Sequence, residues 1–385
     1  MSSHPVVAAA TALQPLICEH HLEAEANARL NPAVVEAAGK AGLFRLYAPK
    51  EVGGLEVTPL DAFKAIEAVS AADPTLSWYI VNSVPACLAA SGLPEKEREE
   101  LFAEPDKNFG FSAVVSGRAV PEGDGYRLSG SWPVVTGCVD SRWCALLGMV
   151  MDGEAPRQVN GKPDARIFLV PTNKLEIFPT WKNSAVMRGT GSNEAHASDI
   201  FIPENFAYKP GTEPVFKRPL YTSPPQVHSM PLFAAVVIGV LNAALDSATN
   251  EIANKISGIT GLSQREQPAS QELIAENNAL LRALRSGCID AMERSWAFAS
   301  KGEEIPPKLR AEVYSSCFLA ADLGREMVSK LYAKGTRAAF MQGHPLERAL
   351  RNIHAIVGAI DARRAGFQYS AGRVLLGGEP LDPGF

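Results

Sequence analysis

The sequence predicts an α+β protein with a helical N-terminal domain, a middle β domain and a C-terminal helical bundle. Two changes in the spacing of apolar residues carry this prediction. Helical spacing disappears near residue 109, where short β-type runs separated by turn residues begin, and it returns in longer segments from residue 232. The predicted domains are residues 1–108, 109–210 and 211–385.

Four helical segments are predicted in the N-terminal domain, at 33–43, 58–69, 76–88 and 94–102. The second opens with Thr58 and Pro59, a favourable N-cap and N1 pair. The third is apolar on nearly all sides, so we expect it to be buried. The fourth is charged and ends before a proline at 105.

The middle domain contains short runs with the alternation and composition of strands. They lie at 126–129, 132–136, 143–151, 166–170 and 199–203. Turn clusters at 122–125 and 152–153 punctuate them. A β segment of roughly 100 residues is long enough for a small barrel or sandwich.

The C-terminal domain shows long amphipathic spacings. One follows Val313, Cys317, Ala320, Gly324, Val328 and Leu331. Helices of about 25 residues predict a bundle of long antiparallel helices. Inter-helix loops are expected at 258–269 and 302–307.

Composition excludes several classes of function. The chain has 385 residues, 46% of them hydrophobic, and a net charge of −5, which argues against general nucleic-acid binding. The longest apolar run, 230–241, is shorter than the roughly 18 residues of a membrane span. No basic region opens the chain, so no signal peptide is predicted. Six cysteines without a C-x-x-C pair indicate reduced thiols, and we expect a cytoplasmic protein without a metal site.

Six short sequence strings follow one another along the chain in a characteristic order. They are PKEVGGLE at 49–56, ADPTLSW at 72–78, GYRLSGSWPVVTG at 125–137, TWKNSAVMRGTGS at 180–192, HPLERALRN at 344–352 and AGRVLLGGEP at 371–380. With the helical–β–helical order, they give the chain a resemblance to the acyl-CoA dehydrogenase superfamily. More closely, it resembles the branch of two-component (class D) flavin-dependent monooxygenases built on that fold. The resemblance covers residues from about 10 to 382.

The resemblance implies a flavin, FAD or FMN, and names residues that contact it. Trp132 and Thr136 lie in the third string, and the resemblance places Thr136 at the polar edge of the flavin ring. From the residues alone, a threonine at a strand end can equally be a structural group. Ser192 closes a glycine-rich loop that begins at Arg188, and such a loop either cradles phosphate or forms a plain β-turn.

Two further cofactor residues are expected in the C-terminal domain. Arg265 is similar to the dehydrogenase arginine that reaches the flavin phosphates of a neighbouring subunit, although the usual Phe-Gly that follows is absent. Gly335 lies in the stretch where the family's adjoining-subunit loop meets the cofactor. A surface arginine and an inter-helix turn remain open as alternatives.

The catalytic side chain of the family is missing at its expected position. Dehydrogenases of this family carry a glutamate nine residues after an arginine that here is Arg351, and Ile360 stands there. The monooxygenase branch often carries a histidine eight residues after it, where this chain has Ala359. His354 and Asp361 remain as weak catalytic candidates. On the first long bundle helix, Asp246 and Glu251 are weaker alternatives for a dehydrogenase base.

We therefore expect a flavin-dependent oxidoreductase. The first hypothesis is the oxygenase component of a two-component monooxygenase, which uses reduced flavin from a separate reductase and O2 to hydroxylate an aromatic or heteroatom substrate. The second is an FAD-dependent acyl-CoA dehydrogenase, and the third is a non-catalytic homologue of the fold. The resemblance also implies a homotetramer.

Overall fold

The protein is described by a computed structural model that covers residues 4–256, 261–334, 337–382 and 384–385. The helices before the β region are α1 (Pro5–Ala12), α2 (Gln14–Asn27), α3 (Pro32–Lys40), α4 (Pro59–Ala72), α5 (Pro74–Ala89) and α6 (Glu95–Leu101). The helices after it are α7 (Pro219–Thr222), α8 (Pro225–Asn254), α9 (Pro268–Ala299), α10 (Pro307–Lys334), α11 (Pro345–Asp361) and α12 (Arg364–Leu375).

The strands lie between these two helical regions, as the sequence predicts. They are β1 (Phe109–Glu122), β2 (Gly125–Val135), β3 (Trp143–Asp152), β4 (Ala155–Pro156), β5 (Gln158–Val159), β6 (Lys162–Pro163), β7 (Ala165–Pro171), β8 (Glu176–Phe178), β9 (Asn193–Pro203) and β10 (Ala207–Tyr208). The expected helical, β and helical order is confirmed.

Eight of these strands form one sheet. Its order is β10-β7-β3-β1-β2-β9-β8, with β4 paired to β3, while β5 and β6 form a separate hairpin. β1 and β3 run parallel, and the other pairs are antiparallel. β2 therefore lies between β1 and β9, so the end of β2 meets the start of β9.

Prolines and glycines set many of the helix ends. Most helices begin at a proline, whose missing N–H costs nothing in the first turn of a helix. α4 begins at Pro59, as predicted. The helix predicted over 33–43 ends earlier, at Lys40, because Gly42 adopts a left-handed conformation with φ of 78° before a short 3₁₀ turn.

Contacts divide the chain into two compact units. Unit 1 contains Met1–Thr58, Trp78–Ser184 and Arg188–Thr222, and unit 2 contains Pro59–Ser77, Ala185–Met187 and Ser223–Phe385. This grouping cuts the chain differently from the predicted division at 108 and 210, which stays a prediction.

Unit 2 is built around α8, which packs against α4, α9, α10 and α11. Close approach explains one glycine in α8. A Cβ on Gly239 would lie 2.5 Å from the Cβ of Ser70 on α4. The Ser70 hydroxyl also donates to the carbonyl of Val236 at 2.7 Å, which links the two helices through a buried hydrogen bond.

The long helices of unit 2 exceed the predicted length. α8, α9 and α10 have 30, 32 and 28 residues. α8 is long and apolar enough to cross a membrane, but 72% of its apolar window is buried inside the structure, as in the core helix of a globular protein. α8 begins at Pro225 instead of at residue 232.

Candidate flavin site

Two predicted contact residues, Thr136 and Ser192, lie next to each other in unit 1. Thr136 directly follows β2, and Ser192 directly precedes β9. Antiparallel pairing places Val135 opposite Asn193, so the two neighbouring residues face each other across the end of the pair. The Thr136 and Ser192 side-chain oxygens lie 2.9 Å apart.

A third hydroxyl extends this contact. The Ser192 hydroxyl donates to Oγ1 of Thr190 at 2.8 Å. Thr136, Ser192 and Thr190 are 3%, 2% and 0% exposed, and we call them the hydroxyl chain. Because buried polar groups need hydrogen-bond partners, each hydroxyl supports its neighbour.

Backbone hydrogen bonds hold the hydroxyl chain in place. Thr136 exchanges two backbone bonds with Phe111 of β1, at 3.1 and 3.0 Å. The N–H of Gly137 donates to the carbonyl of Thr190 at 3.3 Å, and the Asn108 side-chain amide donates to the carbonyl of Gly137 at 3.0 Å. Gly137 has a φ of 73°, and a Cβ there would lie 2.5 Å from the Asn108 amide nitrogen. Only glycine fits this turn without strain.

Three exposed valines lie within a few residues of Thr136 or of its bridge partner Phe111, and we call them the valine rim: Val114, Val115 and Val134. They are 42%, 44% and 38% exposed. The pairing of β1 with β3 shifts register between Ser112 and Gly117, and the pairing of β2 with β9 shifts between Trp132 and Val135. Such bulges turn side chains outward and occur often beside binding sites.

A buried carboxylate anchors the turn that follows Thr136. The Tyr79 hydroxyl donates to Oδ2 of Asp140 at 3.1 Å, and Nε of Arg29 donates to Oδ1 at 3.1 Å. Tyr79 is fully buried, and burial together with the Asp140 charge raises the pKa of its phenol far above the usual range. Sequence reasoning missed this cluster, since its members come from three distant segments.

The Trp132 side chain lies elsewhere in unit 1. Its indole is fully buried, and its N–H donates to the carbonyl of Leu147 on β3 at 2.9 Å. Cβ atoms added to Gly117 and Gly130 would lie 2.8 and 3.1 Å from its ring. The indole thus fills the interior of the sheet, and its predicted contact with a cofactor stays a prediction.

Arg188 does not serve as a phosphate ligand in this arrangement. Its guanidinium donates to the backbone carbonyls of Glu25, Ala26, Lys182 and Ser184, at 2.7, 3.4, 2.8 and 2.6 Å. The N–H groups of the guanidinium are therefore already hydrogen-bonded to backbone carbonyls. The residues from Arg188 to Thr190 form a 3₁₀ turn, and Arg188 holds this turn against the last turn of α2.

In unit 2, the C-terminal motif holds other segments of that unit. Arg348 pairs with the buried Asp73 at 3.3 Å, and Asp73 also accepts the N–H and hydroxyl of Thr75 at the start of α5. The Asn352 side-chain oxygen accepts the N–H of Met187 at 2.8 Å, and Arg351 donates to the carbonyl of Ala185 at 2.6 Å. These contacts link α11 to the start of α5 and to residues 185–187.

The two catalytic candidates lie on or near the end of α11 in unit 2. His354 is exposed. Asp361 pairs with Arg364 at 2.6 Å, and Arg364 also binds Asp322 at 2.8 Å. Ile360 is fully buried. Asp361 is therefore part of a salt-bridge network, and a catalytic role for either candidate stays a prediction.

Arg265 lies in unit 2 at a cavity of about 400 Å³ between α8 and α9. Its lining includes apolar side chains of both helices, among them Ile252 and Ile274. The Arg265 side chain is exposed, and its carbonyl accepts the side-chain amide of Gln271 at 3.0 Å. A cation beside an apolar cavity suits a ligand with a flat apolar part and a negative group. Gly335, the other predicted residue of this domain, lies outside the described residues.

From the sequence alone, His228 is interpreted as a surface residue in a loop or strand context, and the structure contradicts this. It lies in α8 and is fully buried, with its ring against Trp296 at 5.4 Å between centroids. Burial lowers the pKa of His228 to about 4. The error follows from placing the start of α8 too late.

The two alternative dehydrogenase bases, Glu251 and Asp246, both lie on α8. The Glu251 carboxylate binds Nε2 of His344 at 2.7 Å, while Nδ1 of His344 accepts the N–H of Leu346 and caps α11. Asp246 is exposed. Glu251 therefore ties α8 to the start of α11.

The fold and these residues define a helical–β–helical protein whose sheet carries an apolar rim beside a row of hydroxyls. The acyl-CoA dehydrogenase N-terminal domain family matches residues 8–101, and the acyl-CoA dehydrogenase C-terminal domain family matches residues 231–358. The chain therefore belongs to the acyl-CoA dehydrogenase family.

Curated relatives match along most of the chain. Indole-3-acetate monooxygenase of Pseudomonas putida is 25% identical over 359 residues, which are 91% of this chain and 88% of that protein. The flavin-dependent monooxygenase oxygenase subunit HsaA of Rhodococcus jostii (strain RHA1) is 26% identical over 381 residues, with 94% and 96% coverage. The crystal structure of 3-HSA hydroxylase from Rhodococcus sp. RHA1 superposes with a TM-score of 0.88 at 24% identity, covering 100% of this chain and 99% of that one.

These relatives confirm the resemblance stated from the sequence. The acyl-CoA dehydrogenase-like fold is confirmed. The expectation of a flavin-dependent oxidoreductase of the monooxygenase branch is confirmed as well. The individual contact residues remain predictions.

Proposed function

We propose that this chain is the oxygenase component of a two-component monooxygenase that hydroxylates an aromatic or heteroatom substrate with reduced FAD or FMN and O2. The observation that carries the proposal is the hydroxyl chain beside the valine rim in unit 1. The aromatic substrates implied by names such as indole-3-acetate monooxygenase support the same substrate class.

The residues of unit 1 fit a flavin. A flavin ring is flat, with apolar faces and a polar edge, and a suitable site offers an apolar surface with a few fixed hydrogen-bonding groups. The valine rim supplies exposed apolar surface on β1 and β2, and Thr136 supplies a hydroxyl at the end of the same strand as Val134. Burial of the hydroxyl chain strengthens its hydrogen bonds, because water competes little there.

When bound, reduced flavin supplies the two electrons with which one atom of O2 is transferred to the substrate and the other leaves as water. In this proposal the protein orients the ring through Thr136 and keeps water away through the valine rim. Neither task needs a protein acid or base, which agrees with Ala359 and the buried Ile360 at the family's catalytic positions on α11.

Arg265 is the proposed phosphate ligand. It lies at the cavity between α8 and α9, and its exposed guanidinium can bind phosphate through paired N–H groups. We propose that Arg265 of one copy binds the flavin phosphates held by another copy in a homotetramer. Exposed apolar side chains on α10, α12 and the chain end support association: Leu319, Tyr369, Leu375, Leu376 and Leu381.

The proposal includes a partner and a location. A separate flavin reductase supplies the reduced flavin, as the description of HsaA as an oxygenase subunit suggests. A cytoplasmic location is supported by five buried cysteines that form no disulfide: Cys87, Cys138, Cys144, Cys288 and Cys317.

An anaerobic binding titration tests the proposal. Reduced FMN and reduced FAD are titrated into the purified protein, and O2 is then admitted with an indole or phenol present. Tight binding of a reduced flavin, followed by a product with one oxygen atom from labelled O2, supports an oxygenase. Bleaching of bound oxidised FAD by an acyl-CoA indicates a dehydrogenase instead, and binding of neither redox form at micromolar concentrations contradicts both enzymes.

A further inference from the structure

The hydroxyl chain has a direction. A hydroxyl carries one hydrogen to donate and can accept two hydrogen bonds. Ser192 donates its hydrogen to Thr190 at 2.8 Å, so it has none left for Thr136. The 2.9 Å bond between Thr136 and Ser192 must then be donated by Thr136. Toward any further group, Thr136 offers only lone pairs.

Buried residues set this direction. Thr190 is fully buried, and its carbonyl accepts the N–H of Gly137, which fixes it beside the turn after Thr136. Ser192 is also buried, so water cannot readily replace either partner. A change at Thr190 can therefore reverse the hydrogen of Thr136 through Ser192.

The two redox forms of flavin differ at the edge that such a hydroxyl meets. Reduced flavin carries a hydrogen on N5, whereas oxidised flavin has a bare lone pair there. A hydroxyl that can only accept a hydrogen bond can bind the N5 hydrogen of the reduced form. In the oxidised form its lone pair would face the lone pair of N5, which is unfavourable. We infer that Ser192 and Thr190 make the site select reduced over oxidised flavin by holding Thr136 as an acceptor; this rests on the proposed function.

The test substitutes Thr190, which is fully buried and acts on Thr136 through Ser192. Thr190→Val keeps the shape of threonine but removes the acceptor for Ser192. The Ser192 hydrogen then turns to Thr136, whose own hydrogen is released toward the flavin. Dissociation constants for oxidised FMN and for dithionite-reduced FMN are measured anaerobically. We expect the ratio of the oxidised to the reduced constant to fall about tenfold or more, and Thr190→Ser to restore it.

A matched control removes a hydroxyl elsewhere on β2. Ser131 donates to Glu194 at 2.9 Å outside the hydroxyl chain, and Ser131→Ala should leave the ratio unchanged. If Thr190→Val lowers the thermal midpoint too far for binding, Ser192→Ala gives the second measurement, because it frees the Thr136 hydrogen directly, and the ratio should again fall.

The outcomes separate this inference from the function on which it rests. A wild-type protein that binds neither redox form overturns both. A wild-type protein that binds reduced flavin, with a ratio that stays constant in both Thr190→Val and Ser192→Ala, leaves the function standing and overturns the role of Ser192 and Thr190.

Discussion

The side-chain oxygens of Thr136 and Ser192 lie 2.9 Å apart although 56 positions separate them in the chain. The antiparallel pairing of β2 with β9 produces this contact, because each residue stands just beyond the end of its strand. Two motifs that the resemblance linked separately to a flavin therefore supply one group of buried hydroxyls.

Removal of the Thr136 hydroxyl should weaken flavin binding. In Thr136→Val the shape is kept, but the acceptor that faces the flavin is lost, and one neutral hydrogen bond is worth about 1 kcal/mol. We expect the dissociation constant for reduced FMN to rise about fivefold, as measured by anaerobic titration. Thr136→Ser should bind as the wild type does. Equal constants for the valine and serine variants would show that the flavin does not meet this hydroxyl.

The Tyr79 hydroxyl should contribute measurably to stability. It donates to the carboxylate of Asp140, and a hydrogen bond to a charged group is worth about 1.5–3 kcal/mol. Tyr79→Phe should therefore lower the free energy of unfolding by that order in urea titrations. Tyr126→Phe is the matched control, since Tyr126 donates to Glu204 over a longer 3.4 Å and Glu204 is exposed. If the two variants lose equal free energy of unfolding, the hydrogen bond from Tyr79 to Asp140 stabilises the protein no more than an exposed one does.

The pair of Arg348 and Asp73 should be strongly coupled. Both residues are buried, and Arg348→Met leaves the Asp73 carboxylate without its cation, which costs about 3 kcal/mol. Asp73→Asn keeps a side-chain cap for α5. We expect the double variant to be more stable than the sum of the two single losses implies, with a coupling of about 1–3 kcal/mol in a urea-based double-mutant cycle.

An exposed pair supplies the comparison for that cycle. Arg294 and Asp290 are one helical turn apart on α9 and both are exposed. Their coupling should stay below about 0.5 kcal/mol. A coupling for Arg348 and Asp73 as small as this would mean that the C-terminal motif does not stabilise the start of α5.

The sequence was sufficient for the architecture, since the change of period near 109 coincides with the first residue of β1. It was insufficient where distant segments meet. The bond between Thr136 and Ser192 depends on the register of β2 and β9, which local spacing does not determine. The loop that begins at Arg188 was interpreted as either a phosphate cradle or a plain β-turn, and the guanidinium instead donates to the carbonyl of Glu25, 163 positions away.

The interpretation of His228 failed for a local reason. Its helix was expected to begin at 232, but α8 begins at Pro225 and Pro231 lies inside it. The long apolar helix continues through it, which buries the imidazole. A helix interior that contains proline is the exception that propensity rules miss.

Arg265 should matter for binding of the cofactor phosphates. Arg265→Gln removes the cation at the cavity between α8 and α9 while keeping a long polar side chain. We expect the dissociation constant for FAD to rise about tenfold, the order of a lost charged hydrogen bond. Arg282→Gln, an exposed arginine of α9, is the control and should leave it unchanged. An unaltered constant in Arg265→Gln would make Arg265 an ordinary surface residue.

His228 should make the protein sensitive to acid. Its pKa is about 4 in the folded protein, because burial disfavours the charged imidazole, and about 6.5 when unfolded. Below pH 6.5 the unfolded chain therefore binds a proton that the folded protein does not. The contribution of neutral His228 to the free energy of unfolding is therefore fully present above pH 6.5. It is lost as the pH falls toward 4, by about 3 kcal/mol in total. In His228→Leu the free energy of unfolding, measured by urea titration at pH 5 and pH 7.5, should fall less between these values than in the wild type. His354→Leu, at an exposed histidine, should follow the wild type, and equal falls in all three proteins would show that His228 is protonated in the folded state.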